Sequence, residues 1–248
     1  MRTTEYRIAG AAHALRAAVI ADFHDGDPTP VVECVRGMKP DVILVAGDVV
    51  HNQERADRGF ALLRALITVA PVFCSLGNHE CRCDDVEARI RRTGARLLDN
   101  GFAKLGGFVI GGLSSGYRGK KQGRLKKTPA PSLAWLKDFC EAEGTHVLLS
   151  HHPEYYLPYL ADRPIELVLS GHAHGGQWRA LGKGLFAPGQ GILPRFTGGV
   201  YQGKKHQSEL LSMAKETPLL LVSRGLANEV CLPRIGNPTE IVQIDFLK

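Results

Sequence analysis

Short apolar runs alternate with amphipathic stretches through the first third of the chain. Arg16 to Ala21 (RAAVIA), Asp41 to Ala46 (DVILVA) and Pro71 to Leu76 (PVFCSL) are too short for buried helices and rich in branched side chains, which predicts buried strands. Between them, Pro28 to Gly37 and Arg55 to Val69 are predicted helices, the second carrying Phe60, Leu62, Leu63, Leu66 and Ile67 on one broad apolar face. Strand, helix, strand, helix, strand implies parallel strands joined by right-handed crossovers, with functional loops gathered at the strands' carboxyl ends.

The pattern changes further along. Val86 to Thr93 is a predicted helix, and short runs at Phe102 to Leu105 and Phe108 to Leu113 flank Gly106-Gly107, a hairpin signal. Ser132 to Glu143 is predicted as a capped helix, with His146 to Ser150 (HVLLS) and Glu166 to Ser170 (ELVLS) as buried strands. Beyond Trp178, segments punctuated by Gly and Pro end in Pro218 to Ser223 and in Glu240 to Phe246, whose alternation predicts a half-buried strand. Leu113 to Thr128 is polar and rich in Gly and Lys, and is expected to be a loop.

Composition adds bounds. A chain of 248 residues with 44% apolar and 23% charged residues is long enough for one large core and lacks the bias of disordered chains, so one domain over 1–248 is expected. The net charge of +6 suits an anionic partner, whether a phosphate ester, a nucleic acid or an acidic membrane surface, without choosing among them. Lys120, Lys121, Arg124, Lys126 and Lys127 form the one dense basic cluster, which as a charge run is read as a solvated loop. Six cysteines in a chain with ample core and no signal-peptide pattern point to reduced thiols and a cytoplasmic location, and Cys81-Arg82-Cys83 is spaced too tightly for most structural zinc sites. No apolar stretch reaches the ~20 residues of a bilayer span, which leaves only peripheral membrane contact, and oligomeric state is not specified.

The residues just after each predicted buried strand carry the chemistry. Asp22-Phe23-His24 comes after the first, Gly47-Asp48 after the second and Gly77-Asn78-His79-Glu80 after the third; His151-His152-Pro153 and Gly171-His172-Ala173-His174 come after HVLLS and ELVLS. Each piece alone has a plain structural use, as a turn or a helix cap. Five of them in register with five strand ends predict a single cluster of carboxylate, amide and imidazole groups. That donor set suits Mn, Fe, Zn, Co or Ni and is too rich in nitrogen for a calcium cage. Seven ligands exceed the needs of one ion and suit two sharing a bridging carboxylate. Gly171, Ala173, Gly175 and Gly176 leave room for sharp turning around the paired histidines.

These motifs, as an ordered set over roughly residues 16 to 178, resemble the signature of the calcineurin-like metallophosphoesterases: D-x-H, G-D, G-N-H-D/E, H, and G-H-x-H. GHAHGGQ and the tail RGLANEVCLPRIGNPTEI at Arg224 to Ile241 further resemble a bacterial subgroup of that family. The resemblance implies an α/β fold in which a two-sheet β-sandwich is flanked by helices on both sides. It implies two divalent metal ions, manganese favoured. Asp22, His24, Asp48 and His174 would hold the first ion, and Asp48, Asn78, His151 and His172 the second, with Asp48 bridging. Of the doublet, His151 is preferred as ligand because it lies nearer the strand end, leaving His152 to contact substrate or support the site. Adjacent side chains diverge, so His79 does not share a metal with Asn78 and matches the family's substrate-facing histidine.

The implied activity is phosphohydrolase chemistry on phosphodiester or pyrophosphate bonds of a small-molecule or lipid-linked substrate, with hydroxide activated between the ions and His79 assisting the leaving group. Two other readings are a nuclease, which the charge permits although aromatics are only 7% of the chain, and a catalytically idle metal-binding scaffold, which would be expected to lack a ligand or His79. Asp25 and Asp27 add carboxylates that are either exposed or near the site. Many subgroup members carry an N-terminal membrane anchor; none is recognised before Tyr6, which disfavours a membrane-lipid substrate. In the Leu113 to Thr128 loop, Tyr117, Arg118 and Lys120 are candidate substrate contacts.

Overall fold

A computed structural model describes residues 1–117, 127–203, 205–207, 211–214, 218–227 and 233–248. β1 (Arg2–Ala9), β2 (Leu15–Ile20), β3 (Val42–Ala46), β4 (Val72–Ser75) and β5 (Arg96–Leu97) are interleaved with α1 (Pro28–Met38), α2 (Asp57–Leu66) and α3 (Val86–Arg92). Then come β6 (Gly101–Leu105), β7 (Phe108–Leu113), α4 (Leu136–Glu141), β8 (Thr145–Ser150) and β9 (Leu167–Ser170). Four two-residue strands, β10 (Arg179–Ala180), β11 (Lys183–Gly184), β12 (Phe186–Ala187) and β13 (Gly191–Ile192), make two small hairpins. β14 (Gly199–Gln202), β15 (Lys205–Gln207), β16 (Leu211–Ser212), β17 (Leu219–Val222) and β18 (Glu240–Phe246) complete the order.

Two seven-stranded sheets result, ordered β16-β1-β18-β2-β3-β4-β5 and β15-β14-β17-β9-β8-β7-β6. In the first, β2 to β5 run parallel; in the second, β7, β8, β9 and β17 do. Alternate residues serve two cores. Ala17, Val19, Leu44 and Phe73 point between the sheets to meet Ile110, Val147, Leu149 and Leu169. Ala18, Ile20, Ile43 and Val45 face the other way, onto Val35, Phe60 and Leu63 of α1 and α2. On the far side, Val109, Leu148, Val168 and Leu220 lie against Leu136, Phe139 and Tyr155. The layers are therefore helix, sheet, sheet, helix. Strands buried on both faces have no polar side, which is why they read as unbroken apolar runs.

Local chemistry sets the helix ends. Asp27 accepts from the Thr29 N–H at 2.9 Å to cap α1, and Lys39 ends it in a left-handed conformation ahead of Pro40. The expected Ser132 to Glu143 helix is shortened to α4 and has no side-chain cap, because a turn closed by the Leu136 N–H on the Leu133 carbonyl occupies its start. Ile67 is 37% exposed, leaving the apolar face predicted for α2. β18 is more buried than its alternation implied: it lies between β1 and β2, and Glu240, Ile241, Val242, Gln243, Ile244 and Phe246 are all buried. β1 was not legible, its alternation being carried by Thr, Glu and Arg beside a largely exposed face. No disulfide joins the described cysteines. Among the described residues no helix is long and apolar enough to cross a membrane.

Ile244 is fully buried in the layer between the sheets. Ile244→Ala is expected to cost about 3 kcal/mol, the usual range for such a truncation, measured by urea unfolding. A cost below about 1 kcal/mol would show that this layer is not close-packed.

Candidate metal centre

The carboxyl ends of β2, β3, β4, β8 and β9 meet at one edge of the sandwich, and their loops deliver Asp22, Asp48, His151, His172 and His174 to a buried cluster completed by His24, while Asn78 is buried in the loop after β4. Two triads stand out, Asp22 with His24 and His174, and Asp48 with His151 and His172; within each, ligand atoms lie within 4.8 Å of one another. Asp22 Oδ1 is 3.6 Å from His174 Nε2 and 3.9 Å from His24 Nε2. Asp48 Oδ2 touches both halves, 3.7 Å from His24 Nε2 and 3.0 Å from His151 Nε2.

These groups fit cations better than they fit each other. Donors about 2.0 to 2.2 Å from one ion stand roughly 3 to 3.5 Å apart, close to the separations observed here. Both ring nitrogens of His24 are buried without a hydrogen-bond partner. Orphaned buried polar atoms cost about 1–3 kcal/mol each, a cost that coordination removes. The far nitrogens are already engaged: His151 Nδ1 donates to the Ala46 carbonyl at 2.8 Å and His174 Nδ1 to the Ala227 carbonyl at 3.2 Å, so each ring presents Nε2 inward.

Backbone strain concentrates at the same place. Of the twelve described non-glycine residues with positive φ, five are predicted ligands: Asp22, His24, Asp48, His172 and His174. Left-handed backbone is unfavourable for side chains bearing a Cβ and persists where the surroundings over-determine it. It turns each side chain inward directly after a strand. Close approach is the second device: a Cβ on Gly77 would lie 2.2 Å from Asp48 Oδ1, and one on Gly225 would lie 2.6 Å from Asp22 Cβ.

Glu80 holds this arrangement from behind. Its buried carboxylate accepts from the N–H groups of Asp48 (2.9 Å), Val49 (2.7 Å), Val50 (3.3 Å) and Gly77 (2.8 Å). Burial and then the neighbouring Asp48 push Glu80 up to about 7. Burial likewise disfavours the charged form of Asp48, but the imidazoles of His151, His79 and His24 outweigh it and hold that carboxyl well below the usual range. Burial pushes His24 and His172 well below the usual imidazole value; for His151 it is overcome by Asp48 and Asp22, which raise the ring to about 10. The cavity thus holds carboxylate charge that calls for cations.

His79 stands beside the cluster with Nε2 3.9 Å from Asp48 Oδ2; its Nδ1 donates to the His51 carbonyl at 2.8 Å, and its own N–H is held by Asp48 Oδ1 at 2.8 Å. Burial pushes the His79 ring down to about 4. His152 is buried, its Nε2 paired with Ser115 Oγ at 2.8 Å and its Nδ1 3.4 Å from Glu154 Oε1. Tyr117 is buried too, with its ring centroid 5.9 Å from that of His152. Arg118 and Lys120 lie outside the described residues.

Four nearby groups carry no signal in the sequence that assigns them to the site. Glu80 belongs to GNHE, but the motif by itself gives it no role. His51 forms a close group with His24 and His79. Glu154 sits between His152 and His172, whose imidazoles outweigh burial and lower it to about 2. Arg234 is placed with a guanidinium nitrogen 3.3 Å from His174 Nδ1. Glu154, next to the His-His-Pro motif, was the most findable. Asp25 resolves as a scaffold residue, its carboxylate accepting from the His51 and Gly59 N–H groups at 2.7 and 2.9 Å, while Asp27 caps α1.

Residues 15–176 match the family model of the calcineurin-like phosphoesterases. An uncharacterized metallophosphoesterase of Campylobacter jejuni is 30% identical over 161 residues, 63% of this chain and 41% of that protein. A transmembrane protein with metallophosphoesterase domain from Bos taurus is 26% identical over 267 residues, 96% of this chain and 54% of that protein. The chain thus spans about half or less of the length of these relatives. Among solved structures, a phosphopantetheinyl hydrolase of Mycobacterium tuberculosis is similar at 16% identity with a TM-score of 0.43, over 63% of this chain and 82% of that one.

Removing the Glu80 carboxylate strands four buried N–H donors. Glu80→Ala is expected to lower the stability of the metal-free protein by at least about 3 kcal/mol, read from urea unfolding, since each lost partner costs roughly 1–3 kcal/mol. An unchanged midpoint would show that the clamp contributes nothing to the fold.

Proposed function

The chain belongs to the calcineurin-like phosphoesterase family, and we propose that it is a metal-dependent hydrolase of phosphoric esters that cleaves phosphodiester or pyrophosphate bonds in a small or lipid-linked substrate. The observation that carries this reading is Asp48, whose one carboxylate oxygen faces donors of both triads. Asp22, His24, Asp48 and His174 would hold one divalent ion, and Asp48, Asn78, His151 and His172 the other. Mn is the favoured ion among Mn, Fe, Zn, Co and Ni, which this mixed oxygen and nitrogen set accommodates. When bound, such a pair neutralises phosphoryl charge and brings the pKa of water toward ~7.

The protein's own groups do the rest. The Asp48 carboxylate and the His51 carbonyl hold His79 at both its backbone and its ring, with Nε2 3.9 Å from Asp48 Oδ2. With Nδ1 carrying the proton donated to His51, Nε2 is the atom available to the leaving oxygen. An arriving phosphate anion favours the protonated ring, so His79 can donate as the ester oxygen departs, an effect worth roughly 10² to 10⁴-fold. His152, with its ring centroid 4.3 Å from that of His172, and Glu154, 3.8 Å from His172 Nε2, steady His172. Tyr117 and Arg118 are proposed substrate contacts.

Asp48→Ala is expected to lose bound metal and turnover together, whereas His79→Ala keeps two ions per chain while turnover falls by about 10² to 10⁴. Metal analysis of the purified variants separates the two, and a full complement of ions in Asp48→Ala would overturn the ligand assignment. In a Mn²⁺-supplemented panel of a chromogenic diester, a monoester, nucleotide pyrophosphates and single-stranded DNA, the diester or the pyrophosphates should be cleaved fastest. DNA cleaved faster would make the protein a nuclease.

A further inference from the structure

The two small hairpins beside the cluster carry an apolar surface that the hydrolase chemistry does not use. Nine large apolar side chains are exposed among the described residues, and six of them, Trp178, Leu181, Leu185, Ile192, Leu193 and Ile235, belong to this one region. They are connected: Trp178 bridges to Ile235, the Leu185 N–H bonds to the Trp178 carbonyl, and the Leu193 N–H to the Leu185 carbonyl. Leu181, Ile192 and Leu193 are 101%, 82% and 74% exposed. Exposed apolar side chains gathered in one region of a surface mark a contact with something else.

The turns make the exposure costly. Leu181-Gly182 links β10 and β11 with both residues left-handed (φ 50° and 77°), a turn that favours Asn-Gly, yet leucine occupies the first position and projects outward. Leu193 is left-handed as well (φ 52°). Two leucines thus occupy backbone unfavourable to them while most of each side chain stays exposed.

Charge indicates the occupant. From Leu167 to Ser208 the sequence contains no acidic residue, while Arg179, Lys183 and Arg195 fall within the hairpin region. Leu181, Lys183, Leu193 and Arg195 line one cleft of about 590 Å³, so exposed apolar tips and cations share an opening. Apolar side chains that enter an acyl boundary beside cations that meet phosphate headgroups form the pattern of interfacial binding. We propose that the hairpin pair, residues 178–195, docks on an anionic lipid surface. Leu181, Ile192 and Leu193 insert, and Lys183 and Arg195 meet the headgroup phosphates. The surface hangs directly on the ligand loop, since the Leu185 N–H bonds to the Gly176 carbonyl two residues after His174. Docking would therefore hold the metal cluster close to the membrane plane. The proposal is compatible with a lipid-linked substrate but does not rest on hydrolysis.

Vesicle co-sedimentation of the full chain tests it without turnover. Binding to vesicles of 70% phosphatidylcholine and 30% phosphatidylglycerol is expected to exceed binding to phosphatidylcholine alone by about tenfold or more and to weaken as salt rises. The triple variant Leu181→Asn, Ile192→Asn, Leu193→Asn should lose at least about tenfold in partitioning; asparagine suits the two left-handed sites, so folding is preserved and hydrolysis of a soluble diester should persist. Lys183→Gln with Arg195→Gln should remove most of the preference for phosphatidylglycerol. Wild-type protein that ignores both vesicles overturns the proposal, as does a triple variant that binds like wild type. Self-association of the wild type that the triple variant abolishes, without vesicle binding, would assign the surface to a second copy of the chain instead.

Discussion

A carboxylate buried to 1% exposure at the meeting point of two sheets is the constraint around which this molecule is organised. Asp48 is expensive to bury ionised, and everything in contact with it addresses that expense. Glu80 takes its N–H, His79 donates a backbone N–H to Oδ1, and the imidazoles of His24 and His151 stand at Oδ2. Gly77 lies so close that a single added carbon would collide with the carboxylate. Hydrogen bonds within the protein leave Oδ2 facing the imidazoles of His151 and His24, the latter with neither ring nitrogen hydrogen-bonded, and a divalent cation would satisfy both sides at once.

That arrangement explains where strain is tolerated. Parallel strands end in register, so their terminal side chains already share a region, but extended backbone sends successive side chains to opposite faces. A left-handed residue straight after the strand redirects the chain and brings Asp22, His24, Asp48, His172 and His174 inward together. Each such residue is unfavourable locally, of the order of 1–3 kcal/mol, and is held by the surrounding packing. The packing is supplied by apolar layers on both faces of both sheets, which give a rigid edge on which to mount the loops.

The same loops link chemistry to surroundings. The His172-Ala173-His174 turn continues without interruption into the paired hairpins, whose exposed leucines and cations face outward while the histidines face the cluster. A buried cluster of carboxylates and imidazoles and a basic, apolar exterior thus share one short stretch of chain.

The apolar runs determined by themselves that β2, β3, β4, β8 and β9 exist and are buried, because strands covered on both faces leave no polar residues to blur the signal. The motif spacing placed seven donors at those strand ends, because each sits within four residues of the strand that carries it. The apolar face of α2 was legible too, apart from Ile67, which lies beyond the helix end and is exposed. Whatever lies outside local pattern was decided only by folding: that β1 pairs with the chain's last strand, that β18 is central and not half-buried, and that Glu80, Glu154 and Arg234 support the cluster. These depend on contacts between residues far apart in sequence, such as Glu80 with the N–H of Asp48 or Arg234 with His174. Periodicity reports which face of an element is apolar, but not which distant element will cover it. The exposed leucines show the same limit: in sequence they resemble core residues, and only the tertiary structure reveals that nothing in the described chain lies over them.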